Sequence, residues 1–257
     1  MRTFLCFIAL LCLCSCSVKE NRSECPCDLL VHPSEALKTD GSVLVSVIQE
    51  DVVVKQGMMS REDFEAGSCV LTVPRRPSRV TVFTGITDMN AISGRRLDIR
   101  YDHQCDELYS SSDFADLQGD TFDCAVLPHK NYARLFLTLL GLPEGGEVTL
   151  SGNVQGYDLM SLDPCKGVFQ CTPGQDVVLS DYLVRIPRQV DNALRLDAFL
   201  DGNMFRSVPV GAMIEATGYR YDDEDLLDIY LTVDLTKSFV LVTVSGWETE
   251  TYPIIEY

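Results

Sequence analysis

The chain has 257 residues, of which 46% are hydrophobic, 23% charged and 9% aromatic. That composition excludes wholesale disorder and is enough to build one or two packed cores. With 38 acids against 21 bases the formal net charge is −17, which repels phosphate backbones and excludes general nucleic-acid binding, while only 3 His argue against a multi-histidine metal site.

Residues 1–15 read MRTFLCFIALLCLCS. Arg2 precedes an apolar run from Phe4 to Leu13, the length of a signal peptide and too short to span a bilayer. Leu13-Cys14-Ser15-Cys16 resembles a bacterial lipobox, with Leu13 at −3, Ser15 at −1 and Cys16 at +1. Cys16 is therefore the expected lipidated first residue of the mature chain, held at a membrane by its acyl chains. The alternative is an ordinary cleaved signal with incidental cysteines. The polar residues 16–24 read as a tether.

Beyond them, apolar residues alternate with period two. The clearest runs are Val43–Ile48, Cys69–Val73, Val80–Val82, Arg134–Leu139, Leu194–Leu200, Ile229–Asp234 and Val240–Ser245. Turn chemistry separates them at Asp40-Gly41, Glu65-Ala66-Gly67, Pro143–Gly146, Thr172-Pro173-Gly174 and Asp201-Gly202-Asn203. Ser60-Arg61-Glu62-Asp63 predicts one helical turn, because Ser60 can cap it and the acids suit its N-terminus. Residues 104–129 carry six acids, a Ser triplet and no Lys or Arg, and read as a long surface excursion between two units. The expected fold class is all-β. The expected units are a signal peptide at 1–15, a tether at 16–24, and β-sandwiches at 25–128 and 129–257.

Once the signal is removed and Cys16 is set aside, seven cysteines remain: Cys25, Cys27, Cys69, Cys105, Cys124, Cys165 and Cys171. An odd number leaves at least one unpaired. Cys165 and Cys171 flank Gly167, and a local disulfide between them is the one pairing their spacing suggests. Cys25-Pro26-Cys27 lacks the spacing of a zinc pair. His103 beside Asp102 has no Gly-x-Ser-x-Gly framework near any Ser. The acidic run Tyr221–Asp228 lacks the order of a calcium loop and reads as a solvated acidic loop. No catalytic, metal-ligating or cofactor-binding residue is assigned, and no small-molecule substrate is expected. Arg75-Arg76 with Arg79 is the one dense basic patch, read as a polar turn or as a site for a protease or an acidic partner.

Glu24-Cys25-Pro26-Cys27-Asp28-Leu29-Leu30-Val31 after the lipobox, the strand pair and helical turn within 42–65, and Arg79–Gly85 resemble segments of one family. So do Leu231–Leu235 and Phe239–Val244 with Ser245-Gly246-Trp247. Together they are similar to the FimB-like fimbrial anchor lipoprotein family, the base subunits of fimbrillin-type (type V) pili. That resemblance implies two tandem Greek-key β-sandwiches, transthyretin-like or immunoglobulin-like. It also implies a lipid-anchored outer-membrane protein, displayed on the cell surface and partnered with fimbrial pilin subunits. Such pili join by donor strands, so Tyr252, Ile254, Ile255 and Tyr257 become candidates for a partner-binding strand. The alternative is that they belong to the last edge strand of their own domain. Stalk or tip accessory subunits share the implied fold. A surface glycan-binding lipoprotein is the competing function, and a single Trp weighs against it.

Overall fold

A computed structural model describes residues 21–176, 181–236, 239–244 and 250–253. The signal segment, Cys16, Trp247, Ile254, Ile255 and Tyr257 lie outside the described residues. The first half runs β1 (Pro26–Pro33), β2 (Ser42–Gln49), β3 (Val52–Met59), α1 (Arg61–Glu65), β4 (Cys69–Pro74) and β5 (Pro77–Ile86). It continues through β6 (Asn90–Ser93), β7 (Arg96–Ile99), β8 (Tyr109–Asp116), β9 (Thr121–Val126) and β10 (His129–Lys130). Then come β11 (Tyr132–Leu140), β12 (Glu147–Asp158), β13 (Pro164–Cys171), β14 (Gly174–Asp176) and β15 (Asp181–Pro187). The last elements are β16 (Arg195–Leu200), β17 (Asn203–Val208), α2 (Val210–Ala216), β18 (Ile229–Asp234), β19 (Phe239–Val244) and β20 (Glu250–Pro253).

The protein is an all-β sandwich fold, as the alternation predicts. In the first sandwich a sheet ordered β4-β1-β9 faces one ordered β10-β8-β5-β2-β3. Leu29, Val31, Leu71 and Val73 of the smaller sheet interdigitate with Val43, Val45, Val47, Val80 and Val82 of the larger. In the second sandwich β14-β15-β11-β18-β19-β20 faces a sheet built on β17-β16-β12. Leu135, Leu137, Leu231 and Val233 there pack on Val148, Leu150, Leu196 and Phe169. In β1, β4 and β16 every second side chain thus enters a core, the condition a two-layer fold requires.

The two sandwiches repeat one connectivity. The first strand of each, β1 or β11, lies between an antiparallel partner (β4 or β15) and a parallel one (β9 or β18). The second strand, β2 or β12, crosses to the opposite sheet and pairs antiparallel with the third. The helical turn forms as predicted. The Ser60 hydroxyl accepts from the Asp63 N–H at 3.1 Å, and Phe64 is fully buried over the end of the first core.

Three features depart from the expectations above. Residues 104–129 are not a surface excursion. They form β8 and β9 and bury Cys105, Leu108, Ala115, Leu117 and Val126. Their alternation is of small and polar residues, and Ser110 and Ser112 bond to Asn131, Thr81 and the Met160 carbonyl, so a hydropathy pattern hides them. The hairpin β6–β7, from within 25–128, pairs with β12 of the second sandwich, while β10 pairs back onto β8 of the first. Gly156 makes the hairpin contact possible, since a Cβ there would lie 2.1 Å from the Leu97 carbonyl oxygen. The Cys165–Cys171 disulfide is not formed, and both thiols are free. They sit at opposite ends of the extended strand β13, six steps or roughly 20 Å apart, whereas a disulfide needs Cα atoms within about 7 Å.

Candidate functional site: two poles and the cleft between the sandwiches

Strand direction gives the molecule two poles. β1 enters the first sandwich at Pro26, and its other end, Pro33, pairs with Val126, where the chain leaves for the second sandwich. Glu24 and Cys25, the continuation of the tether, are held at the remote end. The Arg75 N–H donates to the Cys25 carbonyl at 3.0 Å, and Arg76 forms ion pairs with Glu24 and with Glu50. Arg75 likewise pairs with Asp120. Arg75 and Arg76 of the dense basic patch are therefore paired with acids from neighbouring segments and clamp the tether end of the fold, while Arg79 donates to the Ser112 hydroxyl.

β11 starts against the first sandwich, with Tyr132 edge-on to Tyr109 at 5.9 Å. It carries the chain away to Leu140, on the order of 25 Å distant. β18 runs parallel to it, and β20 runs in that same direction along β19, so Pro253 sits opposite Phe239 at the far end. Tyr252 is paired with Val240 in β20, which among the described residues is the outermost strand of its sheet. Of the four candidate partner-strand residues, Tyr252 alone is described.

Between the sandwiches lies a cleft of about 990 Å³. Its back wall is a hydrogen-bonded seam around Arg188, which follows β15. The Arg188 Nε donates to Asn131 Oδ1 at 2.6 Å, and its Nη atoms donate to the carbonyls of Tyr221, Asp223 and Glu224 at 2.5, 2.7 and 3.2 Å. One guanidinium thus fixes the acidic loop by its backbone. Asn131 in turn bonds to the Leu108 carbonyl and the Ser110 hydroxyl of the first sandwich at 2.9 and 3.0 Å. His129 lies between Glu224 at 3.0 Å and Asp225 at 3.3 Å. Asp228 accepts from Lys130 Nζ at 2.6 Å and Arg134 Nε at 3.0 Å. Burial disfavours the Asp228 carboxylate, yet the hydrogen bonds from Arg134 and Lys130 outweigh it and hold its pKa below the usual range. Burial pushes the Tyr219 and Tyr221 hydroxyls up, so both stay protonated.

The acidic run Tyr221–Asp228 is therefore a structural latch as much as a solvated loop. Among the described residues no group of three or more His, Cys, Asp or Glu is placed to hold a metal ion, and no helix is long and apolar enough to cross a membrane. His32 bonds to Asp123, and His103 to the Tyr101 carbonyl. On the outer face of the second sandwich Phe136 and Tyr230 stack at 4.7 Å and 7°. Each ring face spent on the other is a face closed to a sugar ring, which weighs against a stacking platform there. Arg188, Asn131 and Tyr157, which knit the seam, carry no motif. The pairing of a polar residue after one strand with a linker residue far away in sequence leaves no local signal.

No protein-family model matches the chain, and no curated protein sequence matches it. Several solved structures share its fold. A candidate polysaccharide-binding protein from Bacteroides thetaiotaomicron aligns at 13% identity and TM-score 0.63, covering 90% of this chain and 99% of that one. The fimbrial anchor protein Mfa2 from Porphyromonas gingivalis aligns at 12% identity and TM-score 0.63, over 89% of this chain and 100% of its own. A candidate adhesin from Bacteroides ovatus aligns at 12% identity and TM-score 0.59, over 93% and 99%. These likenesses establish the all-β sandwich fold across nearly the whole chain.

Proposed function

We propose that this chain is a surface-tethered fimbrial subunit that holds a pilus at the outer membrane. One observation carries the reading: the tether end is clamped at one pole by Arg75 and Arg76, and β20 reaches the opposite pole. A protein fixed at one end and open at the other can transmit a pull along its length. The fold shared with a fimbrial anchor supports the same reading. Cys16 carries the lipid, which places the first sandwich next to the membrane and the far end of the second outward. Filament subunits meet the outward pole by β-strand addition, either along the β20 edge or by taking up residues 248–257 as a donated strand. The role is one of binding, with no catalysis.

Two variants test it. Cys16→Ala abolishes fatty-acid labelling and releases the protein from the membrane fraction. Deletion of 248–257 leaves a folded, membrane-bound protein that no longer retains pilin on cells. Acylation that survives Cys16→Ala sinks the tether. Pilin retention equal to wild type after the deletion sinks the outward pole as the docking end.

A further inference from the structure

We infer that the cleft between the sandwiches is a binding site for an extended peptide segment bearing Lys or Arg side chains. The site is distinct from the β20 edge and independent of the anchoring reading. Three observations converge on it. The first is size, since a cleft of about 990 Å³ lies in the range of sites that enclose a ligand.

The second is charge. The lining holds seven carboxylates and two guanidinium groups. Both guanidiniums are already committed, Arg188 to loop carbonyls and Asn131, and Arg220 to Asp222 and Asp223. Asp113 on the first sandwich and Asp163 on the second are both exposed in the cleft lining. Among the described residues neither has a basic partner. A concave surface with such an excess of one sign concentrates the field and draws in the opposite charge.

The third is an open sheet edge. β8 is bonded to β5 along its whole length, from Asp116 to Tyr109. On its other side only Tyr109 and Ser110 have a strand partner, β10. From Ser111 onward that edge has no strand neighbour among the described residues, and Ser111, Ser112 and Asp113 line the cleft. An extended chain lying there finds backbone donors and acceptors spaced for it. Carboxylates on both sides take its ammonium or guanidinium heads. Leu127, Leu162 and Val190 offer apolar surface to the methylene stems. The same charges repel acidic glycans and nucleic acids.

The test uses residues 17–257, which lack the lipidated Cys16, and a fluorescent alternating Lys-Thr peptide, with an alternating Glu-Thr peptide as control, read by anisotropy at low and high salt. The Lys-Thr peptide binds and the Glu-Thr peptide does not. The double variant Asp113→Asn/Asp163→Asn weakens binding at least about tenfold with its thermal melt unchanged. Glu144→Gln/Glu147→Gln removes the same charge near the far turn and keeps affinity within about twofold. Methylating alternate backbone nitrogens of the peptide also weakens binding, as edge pairing requires. Equal losses in the two double variants would reduce the effect to overall charge and overturn the site. So would unchanged affinity in Asp113→Asn/Asp163→Asn, or capture of a neutral oligosaccharide by a cleft that ignores the peptide.

Discussion

The Tyr157 hydroxyl donates to the Asn131 carbonyl oxygen at 2.5 Å, and the same hydroxyl accepts from the Arg188 N–H at 2.9 Å. Tyr157 is fully buried, and its ring lies 6.0 Å from that of Phe83 in the first sandwich. One side chain therefore joins Asn131, Arg188 after β15 and the interface between sandwiches.

Tyr157→Phe keeps the ring and removes the hydroxyl. It leaves a buried carbonyl and a buried N–H without their partner. The expected loss is about 1–3 kcal/mol of stability in urea unfolding, with little change in the slope. A loss near zero would mean that water replaces the hydroxyl.

Arg188→Met keeps much of the side-chain volume and frees the carbonyls of Tyr221, Asp223 and Glu224. The loop 219–225 then opens locally. Limited proteolysis should cut within this loop much faster than in the wild type, while far-ultraviolet circular dichroism stays the same. Cleavage at the wild-type rate would show that the His129 contacts suffice to hold the loop.

Asp228 has a folded-state pKa below its unfolded value, so it stabilises the fold above the ordinary aspartate value of about 3.9. That stabilisation is lost as pH falls through the folded-state value, because the unfolded chain takes up the proton first. Wild type should therefore lose more melting temperature between neutral pH and pH about 3 than Asp228→Asn does. Identical drops in the two proteins would remove Asp228 from the acid response.

Cys165 and Cys171 are free and far apart along β13. Alkylation of the denatured chain without reductant should modify both, and a reducing agent should leave the melting temperature unmoved. A peptide pair linked through these two residues would contradict the strand geometry.

Gly156→Ala tests how the hairpin β6–β7 is held. The added methyl meets the Leu97 carbonyl at 2.1 Å, so the hairpin must shift off β12. We expect a loss of more than about 2 kcal/mol and faster hydrogen exchange at 90–99 than elsewhere. Uniform exchange across the chain would mean that the hairpin is not a separate unit.

The amino-acid sequence by itself determined whatever local physics decides. Period-two alternation at Cys69–Val73 and Arg134–Leu139, with Gly- and Pro-bearing turns between such runs, specifies strands because each of these strands buries one face. Ser60 with Glu62 and Asp63 specifies a capped turn for equally local reasons. The tertiary structure decided the rest. It moved β6–β7 onto the second sandwich, turned the acid-rich 104–129 into β8 and β9, kept Cys165 from Cys171, and closed the cleft around Arg188. Those outcomes depend on which strand edges meet across long sequence separations, and the energy of such a meeting belongs to the pair of segments rather than to the pattern of either one.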